Sequence, residues 1–181
     1  AKMPQWEASL GRIASWTPMT MLEGTSKAGV KFEKKDDQSI LATGPITKDE
    51  YEVTYEIAPG QLTGLRLEAL PDDSLPAKGP GRAQNGNFVL NELKAQLRLA
   101  DGSAGPEVSF HRAEATFSQD NWDARGAVDG NPASGWAVSP RFGEKHTALF
   151  EVDGDVVIPD GAKLVVRMSQ QYQDRMHLLG R

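Results

Sequence analysis

The chain has 181 residues, enough for one domain with a sizeable core. Hydrophobic residues make up 39% and charged residues 25%, a globular balance, and no stretch nears the ~20 apolar residues that cross a bilayer as a helix. A net charge of −5 offers no basic stripe for nucleic acid, and the lack of cysteine removes disulfides, thiol catalysis and Cys-ligated zinc.

The opening AKMPQWEASLGRIASW lacks the basic-then-apolar pattern of a secretory signal, and its Trp6 and Trp16 follow no readable pattern. SILAT (39–43) is the first strand-like run. In YEVTYEI (51–57), Tyr51, Val53, Tyr55 and Ile57 alternate with Glu52, Thr54 and Glu56, the period of two that marks a half-buried strand. LTGLRLEAL (62–70) sets Leu65, Leu67 and Ala69 against Arg66 and Glu68 in the same way. DDSLPAKGPGRAQNGN is the longest irregular stretch, a length that suits a functional or Ω-type loop. Its GPGRAQNG lacks the Lys-Ser/Thr ending and following helix of a phosphate cradle, so its glycines read as positive-φ turn residues.

NELKAQLRLA (91–100) alternates Leu93, Ala95, Leu97 and Leu99 with polar residues. VSFHRAEATFS (108–118), HTALFEV (146–152) and KLVVRMS (163–169) complete the predicted strands. ADGSAGP, DGNP, VDGD and PDGA are turn signals among 18 glycines and 11 prolines, and NWDARGAV allows one short helical turn. No helical pattern of ten residues occurs. These elements predict an all-β fold, a single β-sandwich of jelly-roll type over 1–181. The closing RMHLLGR stops directly after apolar residues, which leads to the expectation that the domain is cut from a longer polypeptide.

The chemistry-bearing stretch is NWDARGAVDGNPASGWAV (121–138). Asp129, Asn131 and Ser134 fall within six residues, oxygen donors of the kind that calcium takes from one tight loop. The same residues also suit an Asx-turn, in which Asp129 and Asn131 bond nearby N–H groups. Trp122 and Trp136 bracket the loop, with Arg125 and Arg141 nearby. An indole beside a multi-donor guanidinium fits the C–H face and hydroxyl edge of a sugar. Trp136 enters a strand and reads as core, whereas Trp122 reads as the exposed one. Arg82, in the long loop, and His146 are further candidate ligand-binding residues. None of His111, His146 and His177 sits in a catalytic motif, so no enzyme is expected. Tyr172 with His146 and His177 is the one hydrolase- or lyase-like set that can be assembled.

LTGLRLEALPDDSLPAKGPGRAQNGNFVLNEL, ATFSQDNWDARGAVDGNPASGWAV, EKHTALFEV and HLLGR together resemble, from about Trp16 to Arg181, a β-sandwich region of large planctomycete-type multidomain proteins. Those proteins also contain a cytochrome-c-like domain and two domains of unknown function. In them the region continues past the final Gly-Arg into one more strand. The resemblance implies an extracytoplasmic location (periplasmic, cell-surface or secreted) and neighbouring domains of the parent chain as partners. It implies no haem in this chain, because the CxxCH motif belongs to another domain.

The AVDGNPASGW run is also similar to a loop of discoidin-type, galactose-binding-like jelly rolls, among them many carbohydrate-binding modules. In those folds a calcium ion is held at the Asp-Gly loop with help from a glutamate of a late strand. Carried over, Asp129 is the acidic ligand, Asn131 and Ser134 supply loop oxygens, and Glu92 of FVLNEL is the strand glutamate. Glu92 here precedes the loop rather than following it. The leading expectation is a non-catalytic carbohydrate- or polysaccharide-binding module with a structural calcium. Trp122 would stack on a sugar, and Arg82 and Arg125 would bind hydroxyls or an acidic group. The alternatives are an interdomain spacer or docking domain and, third, a glycan-degrading enzyme.

Overall fold

The computed structural model describes residues 16–181, so Trp6 lies outside the described residues. Among the described residues twelve strands form in chain order. They are β1 (Thr20–Ser26), β2 (Lys31–Lys34), β3 (Ile40–Thr43), β4 (Asp49–Glu56), β5 (Gly60–Ala69) and β6 (Val89–Leu90). They continue with β7 (Glu92–Arg98), β8 (Ala104–Val108), β9 (Phe110–Ala115), β10 (Trp136–Ala137), β11 (His146–Ile158) and β12 (Lys163–Gln170). Helical structure among the described residues is confined to two 3₁₀ turns, Pro76–Lys78 and Ala124–Ala127. The fold is all-β.

Every ladder is antiparallel. The largest sheet has the order β1-β4-β12-β7-β8, and a second has the order β5-β11-β9. β10 pairs with β6 and β2 with β3 in two-stranded sheets. The alternation read from the sequence sets which side chains go in. Tyr51 and Val53 of β4, Leu93, Ala95 and Leu97 of β7, and Leu164, Val166 and Met168 of β12 are buried. They share one cluster with Leu65 of β5, Ala113 of β9, and Ala148 and Phe150 of β11. Each fully buried Leu, Val or Phe in that layer contributes about 1.5–3 kcal/mol.

The structure departs from the predicted elements at two instructive places. The run 108–118 is divided at Ser109: β8 lies in the five-stranded sheet and β9 in the three-stranded one. The chain changes sheets there, a break that period-two alternation does not register. Pro106 within β8 is accommodated because β8 is an edge strand, where a missing N–H leaves no ladder bond unmade. At VDGD the expected turn is instead a bulge. β11 runs on to Ile158, and its register with β5 shifts between Glu151 and Val156.

The long loop after β5 is packed, not slack. A Cβ on Gly81 would lie 1.9 Å from the Asn87 carbonyl oxygen, so only glycine fits that crossing. The final residues are sewn onto this loop. Arg82 N–H donates to the Leu178 carbonyl at 2.8 Å, Gly180 N–H to Pro80 at 2.8 Å, and Val89 N–H to His177 at 3.1 Å. On the other side, Ala42 N–H donates to the Gly180 carbonyl at 2.8 Å. The Arg181 guanidinium then bridges Asp37 at 2.7 Å and Asp72 at 3.0 Å.

Candidate functional site

The 126–134 loop begins in the 3₁₀ turn Ala124–Ala127, capped by Asp123, whose carboxylate accepts from the Arg125 N–H at 3.0 Å. The loop ends at Gly135, where a Cβ would sit 2.6 Å from the Leu90 carbonyl oxygen. The absence of a side chain there lets the loop close down on the β6–β7 connection. Trp136 follows it, fully buried, with its indole N–H donating to the Phe117 carbonyl at 3.0 Å and its ring edge-on to Phe88.

Inside the loop, oxygens crowd around Ser134. Its Oγ lies 2.9 and 2.8 Å from the two carboxylate oxygens of Asp129. The Asn131 carbonyl is 2.8 Å away and the Gly126 carbonyl 3.4 Å. A serine hydroxyl has one proton, so it satisfies one of these acceptors at a time. Asp129 also accepts from Asn131 N–H at 2.8 Å, the Asx-turn that the residues suggest. The Asn131 side-chain oxygen accepts from Ala133 N–H at 3.1 Å, and its backbone carbonyl, which faces the Ser134 hydroxyl, also accepts from the Ser134 N–H at 3.1 Å.

Glu92, at the start of β7, reaches the same place. Its Oε1 is buried and has no hydrogen-bond partner. Burial pushes its carboxyl above the ordinary 4.5, and the neighbouring Asp129 carboxylate pushes it further. Lys94 and the Gly130 N–H offset part of that shift. The four residues expected to form a metal set, Asp129, Asn131, Ser134 and Glu92, therefore converge. Among the described residues no group of three or more His, Cys, Asp or Glu side chains gathers for a metal. The oxygens here come from two carboxylates, one hydroxyl and backbone carbonyls, a hard donor set of the kind calcium accepts and zinc does not require.

The predicted ligand-reading residues separate into two groups. Trp122 is half-buried, edge-on to Tyr172 at 5.4 Å between ring centroids. Tyr172 in turn meets the His177 ring at 4.8 Å. His177 Nδ1 is bonded to Asp174, 2.8 and 2.7 Å from its two oxygens. Burial raises the Asp174 carboxyl, but the Met176 N–H and His177 outweigh it and hold it below 3.8. Arg125 is exposed beside this array and folds back onto Asp123 at 3.0 Å.

Arg82 and His146 lie elsewhere. Arg82 is 6% exposed, and its guanidinium donates to the Gly44 carbonyl at 2.6 Å and the Tyr51 hydroxyl at 3.5 Å. His146 is 2% exposed, with Nε2 at 2.7 Å from the Arg141 carbonyl and its ring against Phe117. Both serve the interior, so Tyr172 and His177 meet without His146. His111 is exposed at the sheet surface, 3.6 Å from Glu151.

Sequence reasoning missed Asn91, which is buried and bonded to the loop. Its Nδ2 donates to the carbonyls of Pro132 at 3.1 Å and Ser134 at 2.9 Å. It also missed the Gly126 carbonyl and the Asp174–His177 pair. Only the adjacency of Asn91 to Glu92 hinted at the first. No family model matches the chain, and no curated protein or solved structure matches it either.

Proposed function

We propose that this chain is a non-catalytic carbohydrate-binding module, a β-sandwich of jelly-roll type with calcium held by the 126–134 loop. The observation that supports it most is the excess of acceptors at that loop. The Ser134 hydroxyl proton is shared by Asp129 Oδ2 and the Gly126 carbonyl, as well as by Asp129 Oδ1 and the Asn131 carbonyl, which have N–H donors of their own. Glu92, whose carboxyl adjoins Asp129, has a buried Oε1 with no donor. Burying an acceptor unpaired costs about 1–3 kcal/mol, a cost that a bound hard cation removes. Asp129, Ser134, Glu92 and the carbonyls of Gly126 and Asn131 are the groups that would hold the ion. When bound, it supplies charge neutralisation and closure of the loop.

The sandwich reading is supported by one buried cluster that draws side chains from both larger sheets. The carbohydrate reading is supported by the aromatic array of Trp122, Tyr172 and His177, bordered by exposed Asn121, Arg125, Gln171 and Gln173. Aromatic faces beside flexible hydrogen-bonding groups suit a pyranose ring. The resemblance of AVDGNPASGW to galactose-binding-like loops agrees with both parts, and the resemblance to planctomycete multidomain proteins supports a location outside the cytoplasm.

The test is a thermal melt in EDTA, in calcium, and in calcium with a panel of neutral and acidic polysaccharides. A native-state ligand raises the midpoint by mass action. The proposal expects a calcium-dependent rise that is lost in Asp129→Ala, and a further rise with one glycan class that is lost in Trp122→Ala. No response to calcium removes the metal site, and silence across the panel removes the binding module.

A further inference from the structure

The run 89–92 touches both the 126–134 loop and the 171–177 segment. The Glu92 carboxyl adjoins Asp129 and the Gly130 N–H of the cation loop, and Asn91 grips the same loop by the carbonyls of Pro132 and Ser134. The other end of the Asn91 amide faces away from the loop. Its Oδ1 accepts from the Gln171 N–H at 2.7 Å, the first residue after β12. Gln171 opens the 171–177 segment that places Tyr172, Asp174 and His177. That segment is fixed at its far end by Val89 N–H on the His177 carbonyl at 3.1 Å. One buried amide, 2% exposed, therefore joins two surfaces separated by 80 residues in Gln171 and 43 in Ser134.

We propose that Asn91 couples cation occupancy of the 126–134 loop to the position of the 171–177 segment, so that calcium presets the aromatic surface for its carbohydrate. This rests on the cation loop and binding surface proposed above. Ser134 is the shared element. Its Oγ lies among the cation-loop oxygens while its carbonyl accepts from Asn91. A cation that draws in Asp129, Ser134 and the Asn131 carbonyl moves the acceptor of Asn91. The amide is planar and has Gln171 at its other end, so that displacement is passed to the segment bearing Tyr172 and His177. Asn91 is a positioning residue: it reaches neither the ion nor the sugar. By linkage, the ligand tightens calcium by the same factor that calcium tightens the ligand.

The experiment uses calcium chloride alone as probe. Calcium affinity is measured by isothermal titration calorimetry, and the His177 ring C–H resonances are followed by NMR. His177 is one of three histidines and is identified by His177→Gln. It lies on the segment, so a shift reports movement of the segment, and the Asn91 variants separate the amide route from the Trp122–Tyr172–His177 ring contacts. In the wild type the His177 resonance is expected to move along the calorimetric binding curve. Asn91→Asp keeps the acceptor for Gln171 and removes the donor to the loop carbonyls. This variant should bind calcium with most of the His177 shift lost. Asn91→Ser, too short to span both partners, should do the same and serves where the aspartate fails to fold.

Calcium binding with an unmoved His177, or an undiminished shift in both variants, overturns the coupling and leaves the binding module standing. Absence of calcium binding in the wild type overturns the coupling together with the cation loop.

Discussion

Two irregular stretches rich in Gly, Asn and Asp look alike in the sequence and differ in how their polar groups are satisfied. In the 70–88 loop and the C-terminal HLLGR that packs on it, donors meet acceptors. Backbone N–H groups of Arg82, Val89 and Gly180 find carbonyls, and the buried Arg82 guanidinium finds the Gly44 carbonyl and Tyr51. In the 126–134 loop, Asp129 Oδ2 and the Gly126 carbonyl share the single Ser134 hydroxyl proton, and the buried Glu92 Oε1 has no donor. Composition does not separate a structural loop from a cation loop. The balance of donors and acceptors does.

The largest expected effect lies on the structural side. Gly81→Ala puts a methyl 1.9 Å from the Asn87 carbonyl oxygen, a backbone collision that no rotamer relieves. It should cost about 3 kcal/mol or more in urea unfolding, equally in calcium and in EDTA. A calcium-dependent cost would break the distinction between the two loops.

On the other side, Asp129→Ala should abolish a calcium stabilisation of about 2.7 kcal/mol at a hundredfold excess over Kd. Its effect in EDTA should be much smaller, because the residue is exposed and its Asx-turn is local. Calorimetry in the two buffers checks both halves.

A third prediction concerns pH at the C-terminal clasp. Ser39 holds Asp37 below the ordinary 3.8, and Ser74 does so for Asp72, with Arg181 adding to both. Carboxylates depressed in the folded state stabilise it above their unfolded value, and that stability is lost as pH falls through the depressed values. Thermal melts should therefore show a loss of midpoint beginning near pH 3.8 and growing below it. Arg181→Gln should lower the midpoint at neutral pH and flatten that acid limb. An unchanged limb would remove Arg181 from the clasp. Arg125→Ala is the smallest, under about 0.5 kcal/mol, because its pair with Asp123 is solvent-exposed.

Much of the framework was legible in the sequence, because a half-buried strand writes its two faces into alternate residues. Tyr51 and Val53, Leu93 to Leu97, and Leu164 to Met168 are buried as their spacing predicts. β1 and β2 were not legible: TMLEGTS and KFEK are marginal strands with exposed, charged or small residues and little apolar alternation. β6 and β10 span two residues each, too short for any period. Within the site, Asp129, Asn131 and Ser134 stood out by their spacing in one loop, whereas Glu92 was reachable only through the expected resemblance to galactose-binding-like loops. Arg82 and His146 point inward, where their partners are carbonyls distant in sequence. Asn91 was invisible for the same reason, since its acceptor role is toward Gln171, 80 residues away.

The most direct measurement of the central claim is the melting midpoint of Glu92→Gln beside the wild type at neutral pH, each in EDTA and in calcium. Burial and the neighbouring Asp129 raise the Glu92 carboxyl in the fold, so its ionised form at neutral pH is less favourable folded than unfolded. The glutamine variant should melt higher than the wild type in EDTA, and calcium should raise the wild type while leaving the variant unmoved. A variant that melts lower in EDTA, or that gains as much from calcium as the wild type, would contradict the account.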